Sequence, residues 1–146
     1  MDQPNIIFIV LDTLRKDVLP MYGGNAYVPN LNEFAKDAVV FPNAIASSPW
    51  TVPSHTSFFT GKYAIEHGVH EDKMFNIENI NEKLLNLSHK FIWEFLISMG
   101  YNTLSFSANG FISPDSGYNR SWNYIKLSKI LQFCQESRSY LIINDL

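Results

Sequence analysis

A chain of 146 residues is long enough for one domain with a sizeable core, and its 46% hydrophobic and 17% charged residues are those of a globular protein. A formal charge of −3 and the lack of any basic run argue against nucleic acid as a partner, and no stretch has the apolar length of a membrane span. The single cysteine, Cys134, excludes an internal disulfide framework, and Met1-Asp2-Gln3-Pro4 lacks the basic start of a secretion signal, so a cytoplasmic location is the default.

Asn5-Ile6-Ile7-Phe8-Ile9-Val10-Leu11 is a continuous apolar, β-branched run, as expected of a strand buried on both faces. It stops at Asp12. In open α/β sheets ligands gather at the carboxyl ends of strands, so Asp12 is placed for metal binding, although an Asp capping a turn reads equally well there. Pro20, Gly23 and Gly24 mark a loop over 19–28, and Asn30 can cap a helix with Leu31, Phe34, Ala35 and Ala38 at helical spacing. Residues 38–44 read as a short strand or extended piece.

In Ser48-Pro49-Trp50-Thr51-Val52-Pro53-Ser54-His55-Thr56-Ser57-Phe58-Phe59-Thr60-Gly61-Lys62-Tyr63, Pro53 suits the first turn of a helix. Thr51 falls at or beside its N-cap and Gly61 can close it. The arrangement sets a hydroxyl at the positive end of a helix, which favours an anion such as a phosphate or sulfate ester. Taken alone it is also an ordinary capped helix with Phe58 and Phe59 in the core. Residues 62–81 read as a polar loop in which His67 and His70 are exposed. A single helix is expected over 80–99, with Leu84, Leu87, Phe91, Ile92, Phe95, Leu96 and Met99 on one stripe and Gly100 as its stop. A strand over 101–108 ending in Asn109-Gly110, a turn-rich loop over 113–123, a helix over 127–135 and a strand over 140–143 complete the alternation.

Read together, these stretches resemble the N-terminal part of the sulfatase family, within the alkaline phosphatase superfamily. Pro4 to Gly23 is similar to the family's first strand and its Asp-containing turn, Val28-Pro29-Asn30-Leu31-Asn32-Glu33-Phe34-Ala35 to its first helix, and Val39-Val40-Phe41-Pro42-Asn43-Ala44 to the segment after that helix. Pro53-Ser54, Thr60-Gly61-Lys62-Tyr63 and His67-Gly68 resemble the nucleophile helix and its exit, and a weaker likeness runs from Gly100-Tyr101-Asn102-Thr103 to about Leu127. The resemblance implies an α/β fold with a mostly parallel sheet flanked by helices, as one domain over 1–146. Members of the family are longer, and their second group of metal ligands lies in the later part. The resemblance therefore casts this chain as an N-terminal piece, inactive by itself, with a complementing C-terminal fragment or self-association as its expected partner.

The resemblance also assigns roles. Thr51 stands in the nucleophile position, Asp12 and Thr51 are metal ligands, His55 contacts the substrate or leaving group, and Asn109 and Lys62 bind the substrate, a small sulfate or phosphate ester. The implied cofactor is a divalent metal, with calcium, magnesium, manganese and zinc not distinguished. Two departures stand out. Sulfatases carry Cys or Ser oxidised to formylglycine in a Cys-x-Pro-Ser-Arg type pattern, whereas this chain has Thr51-Val52-Pro53-Ser54-His55. A threonine Cβ bears a methyl, so oxidation would yield a ketone; this argues against formylglycine and for direct attack by the hydroxyl. The family's second Asp of the pair is Thr13 here. Two readings compete with hydrolysis: a non-catalytic remnant acting as a binding or partner-completed module, and, more distantly, a dinucleotide binder, which lacks its Gly-rich loop after the first strand.

Overall fold

The computed structural model describes residues 3–70, 77–120, 124–126 and 139–143. The chain divides into two compact units, residues 13–46 and the remainder.

In the larger unit, four strands form one sheet: β1 (Ile7–Leu11), β2 (Leu104–Ser107), β3 (Tyr124–Lys126) and β4 (Ser139–Ile143), in the order β1-β4-β2-β3. An α/β fold is therefore present, but the sheet is more mixed than the expected mostly parallel one. β2 and β3 pair in parallel, whereas β4 runs antiparallel to both β1 and β2. Strands β1, β2 and β3 thus share one direction, and the apolar segment Ser139–Ile143 enters between β1 and β2 against it. A strand over 140–143 matches β4, while β3 lies where no element is expected. The helix expected over 127–135 falls outside the described residues.

Helix α2 (Thr51–Thr60) lies against one face of β1. Phe8 meets Phe58 and Phe59 with ring centroids 5.8 and 6.0 Å apart, and Val10 packs against the core. By register Phe8 and Val10 share rows with Ser105 and Ser107, both buried. The opposite face of β1 is open: Ile7, Ile9 and Leu11 are 60%, 61% and 46% exposed, so the strand is not covered on both faces as its composition suggests.

The expected helix over 80–99 is two helices, α4 (Ile77–Leu85) and α5 (Ile92–Ser98). Asn86, Ser88 and His89, all weak helix formers, lie between them. Three contacts fix the break. Glu94 Oε2 accepts the Phe91 backbone N–H at 2.8 Å at the start of α5, and Arg120 Nη1 donates to the Leu87 and His89 carbonyls at 2.6 and 3.3 Å. The expected stripe holds only in part: Leu84, Leu87 and Phe91 are core, together with Ile80 and Trp93, whereas Ile92 and Phe95 of α5 and Met99 at its C-cap are 45%, 52% and 60% exposed. Phe91 stacks on Trp93 at 4.3 Å, and Trp93 meets Phe59 of α2 edge-on at 5.1 Å. Gly117 (φ +91°) backs this core, because a Cβ there would come within 2.9 Å of Leu84 Cβ. Gly100 (φ +91°) follows the end of α5 as expected. Part of the loop expected over 62–81 is helical as well, as α3 (Ala64–His67) and the first residues of α4.

The smaller unit holds two 3-10 turns, Lys16–Val18 and Pro20–Tyr22, and helix α1 (Pro29–Asp37). Val28 rather than Asn30 occupies the N-cap of α1, with Pro29 in its first turn. Residues 38–44 form no strand. Arg15 makes a paired contact with Asp17, and so braces its own turn. Among the described residues no helix is long and apolar enough to cross a membrane.

Candidate active site

Asp12 follows the last residue of β1, Thr51 opens α2 and Asn109 lies just past β2. Their side chains meet on one atom. The Thr51 Oγ1–H donates to Asp12 Oδ2 at 3.2 Å, and Asn109 Nδ2 donates to the same oxygen at 3.0 Å. Thr51 is the first helical residue, after Trp50 at the N-cap, and its hydroxyl makes no capping bond. The Ser54 N–H turns instead to the Trp50 carbonyl at 3.3 Å. That releases the Thr51 hydroxyl to Asp12. Asp12 and Thr51 are half-buried and Asn109 is buried. Immediately after Asp12, Thr13 adopts φ 64°, a region that β-branched residues rarely enter.

His55 sits one turn below Thr51 but faces inward. It is 3% exposed, its ring lies 4.7 Å from that of Phe58, and its Nδ1–H donates to the Thr51 carbonyl at 2.8 Å. Burial pushes its pKa down, opposed by the Thr51 carbonyl and the charge of Asp12, so the ring is held neutral. His55 therefore supports the first turn of α2 from behind. Lys62 lies past the other end of α2, beyond Gly61 in the left-handed region, and pairs at 3.5 Å with Glu66 across exposed surface. A helix of this length spans about 15 Å, so Lys62 is not brought to Asp12 and Thr51.

His67 is buried, not exposed, and lies beside Ser57. Its Nδ1 accepts the Val69 N–H at 3.0 Å, which places its proton on Nε2, 3.0 Å from Ser57 Oγ. The histidine thus donates to the serine and is no base for it. Burial, with His70 and His89 nearby, depresses its pKa. It fastens the C-terminal half of α2 to α3.

The divalent cation that the resemblance implies needs about six ligands. Asp12 offers one carboxylate, one of whose oxygens already accepts two hydrogen bonds. Among the described residues there is no group of three or more His, Cys, Asp or Glu that could hold a metal. These residues do not make a complete metal site by themselves.

Sequence reasoning brings Asn109 to the same edge as Asp12 and Thr51, as a substrate-binding residue, but misses its hydrogen bond to Asp12. The only local signal was Asn-Gly after an apolar run, which also marks a plain turn.

The sulfatase family model matches residues 4–140. Among curated proteins, the chain is 35% identical over 102 residues to an "Ulvan-active sulfatase" of Formosa agariphila, covering 69% of this chain and 18% of that protein. It is 27% identical over 124 residues to an "N-acetylglucosamine-6-O-sulfatase" of Bacteroides thetaiotaomicron, covering 84% and 20%. It is also 31% identical over 94 residues to a "Bis(5'-adenosyl)-triphosphatase" of Xenopus laevis, covering 62% and 20%. The matches thus take in about a fifth of the length of these relatives. No solved structure matches the chain. With the family model matched over residues 4–140, the chain belongs to the sulfatase family of sulfuric ester hydrolases, within the alkaline phosphatase superfamily.

Proposed function

We propose that this chain carries the nucleophile of a metal-dependent ester hydrolase in which Thr51 attacks a sulfate or phosphate ester. The observation that carries the reading is the hydrogen bond from Thr51 Oγ1–H to Asp12 Oδ2 at 3.2 Å, at the N-terminus of α2. A hydroxyl whose proton already points at a carboxylate is oriented to attack, because its lone pairs face away from that carboxylate. In the attack a bond forms from Thr51 Oγ to sulfur or phosphorus, the ester oxygen leaves, and the hydroxyl proton passes to Asp12. Water then cleaves the threonyl ester. The helix N-terminus favours the negative charge on the non-bridging oxygens. The bound metal would act as a Lewis acid, and it requires ligands beyond Asp12 and Thr51. The 146-residue chain alone is therefore expected to be inactive. A phosphoric ester substrate is supported by the likeness to a bis(5'-adenosyl)-triphosphatase, and a sulfuric ester by the sulfatases.

The test is mass spectrometry of the Thr51 peptide after incubation with aryl phosphate or aryl sulfate and divalent cations, the remainder of a matched sulfatase being supplied in trans. A threonyl adduct, absent in Thr51→Ala and retained in Thr51→Ser, supports the reading. Turnover undiminished in Thr51→Ala ends it. One observation favours a second reading, a non-catalytic module completed by a partner: the open apolar face of Ile7, Ile9 and Leu11, in a unit whose described residues lack a metal-binding cluster. Failure of every adduct and turnover assay, with a partner captured on that face, would favour it.

A further inference from the structure

Both ends of the Asn109 amide are held within the protein. Its Oδ1 accepts the Phe111 backbone N–H at 2.9 Å, which closes a tight turn just after β2. An N–H can pair only with an oxygen there, so the orientation of the amide is unambiguous: Nδ2, a donor, is the atom that meets Asp12 Oδ2 at 3.0 Å. The backbone around it is tied as well. The Asn109 N–H donates to Ser107 Oγ at 3.2 Å, and the Asn109 carbonyl accepts the Ile112 N–H at 3.0 Å. Asn109 is 6% exposed. A side chain buried and held at both ends is a poor candidate for a group that must reorganise around an arriving ester, and a good one for fixing its neighbour.

We infer that Asn109 is a positioning residue: its Nδ2–H holds the Asp12 carboxylate in the rotamer that turns Oδ2 to the Thr51 hydroxyl, rather than binding the ester itself. The inference deepens the reading of Thr51 and Asp12 above and rests on it. Without the amide, one donor on Oδ2 remains. Asp12 follows a strand end and is only half-buried, so little else restrains its χ1. Carboxylate and hydroxyl would then meet only part of the time, and the geometry that orients the nucleophile would be lost with no change in the fold.

The experiment measures the three-bond couplings that report χ1 of Asp12 in the 13C,15N-labelled chain, in wild type, Asn109→Ala, Asn109→Asp and Thr51→Val. Wild type is expected to show a single staggered rotamer. In Asn109→Ala the couplings should fall toward a three-rotamer average. Asn109→Asp keeps an oxygen for the Phe111 N–H but sets a second carboxylate against Asp12, and should displace it further. Thr51→Val, which removes the other donor, should leave the rotamer in place. Wild-type couplings retained in Asn109→Ala would overturn the inference. If that variant does not fold, the wild-type chain decides: one Asn109 Nδ2 proton must exchange slowly and show a coupling across the hydrogen bond to Asp12 Cγ, and its absence overturns the inference too. Loss of that coupling on adding inorganic phosphate would show an amide that turns to the anion, which also overturns it. None of these readouts needs turnover, so the nucleophile reading can fail in its own assay while this one stands.

Discussion

Replacing Arg120 by alanine tests how the chain breaks one apolar stripe into two helices. The side chain is about three-quarters buried, and its guanidinium donates to the Leu87 carbonyl at 2.6 Å and to that of His89 at 3.3 Å. It lies 5.5 Å over the Phe91 ring and 3.5 Å from Glu94, whose other oxygen caps α5. A hydrogen bond from a charged donor contributes about 1.5–3 kcal/mol, and leaving a buried carbonyl unpaired costs about as much. Counting the short bond in full and the two long contacts at a fraction gives a loss of about 3 kcal/mol, roughly a 150-fold shift toward the unfolded state. For a chain of this size that lowers the melting temperature by about 6–12 °C. Urea unfolding followed by far-ultraviolet circular dichroism measures it, and amide exchange should quicken first between Asn86 and Phe91. Arg120→Lys should fall between wild type and alanine, because a single ammonium cannot grip both carbonyls. A loss below about 0.5 kcal/mol, the range of an ordinary surface change, would refute the reasoning.

His55 and His67 are both held neutral by burial, so their folded pKa values lie below the ordinary value of about 6.5 that they regain on unfolding. The unfolded chain then binds more protons, and stability should be constant above about pH 6.5 and fall toward pH 5, by up to about 1.4 kcal/mol per pH unit for each histidine. His67→Gln should shallow that slope in denaturation series across pH; an unchanged slope excludes His67 as its source. Ile9→Lys, on the open face of β1, should change unfolding free energy by no more than about 0.5 kcal/mol while reducing self-association in sedimentation velocity. A loss above about 2 kcal/mol would mean that Ile9 is covered after all. Thr13→Asn, at φ 64°, should stabilise by about 1 kcal/mol because asparagine tolerates the left-handed region, and no gain in the same melt would count against strain there.

Elements with a local cause were legible in the sequence. The run Ile7–Leu11 is short, apolar and rich in β-branched residues, which favours a strand, and Pro53 and Gly61 bracket α2 by the conformations they allow or demand. The break between α4 and α5 was not legible. Hydrophobic period continues through it, and the side chain that ties off its carbonyls, Arg120, lies 33 residues beyond Leu87. The antiparallel entry of β4 was equally hidden, since an apolar pentapeptide carries no mark of its direction or of the strands it will join.

The site divides along the same line. Asp12 and Thr51 each have a local signal, one at the end of an apolar strand and the other at the start of a Pro-containing helix, which alone fits a plain cap and gains its meaning from the two stretches read together. Those two ends are where a sheet and its covering helix can meet. Asn109 was legible as a strand-end residue but not as the partner of Asp12, from which 97 residues separate it. Lys62 and His55 were placed by the resemblance, which carries position in a motif but not the direction in which a side chain faces. A residue four positions on, such as His55, returns to the same side of a helix, but whether that side faces solvent or sheet depends on the packing of Phe58 and Phe59 against Phe8. Lys62 lies eleven positions on and is carried the whole length of the helix away. Lys62 pairs there with Glu66 across exposed surface, so the charge at the exit of α2 is engaged by α3 and not by the residues at its entrance.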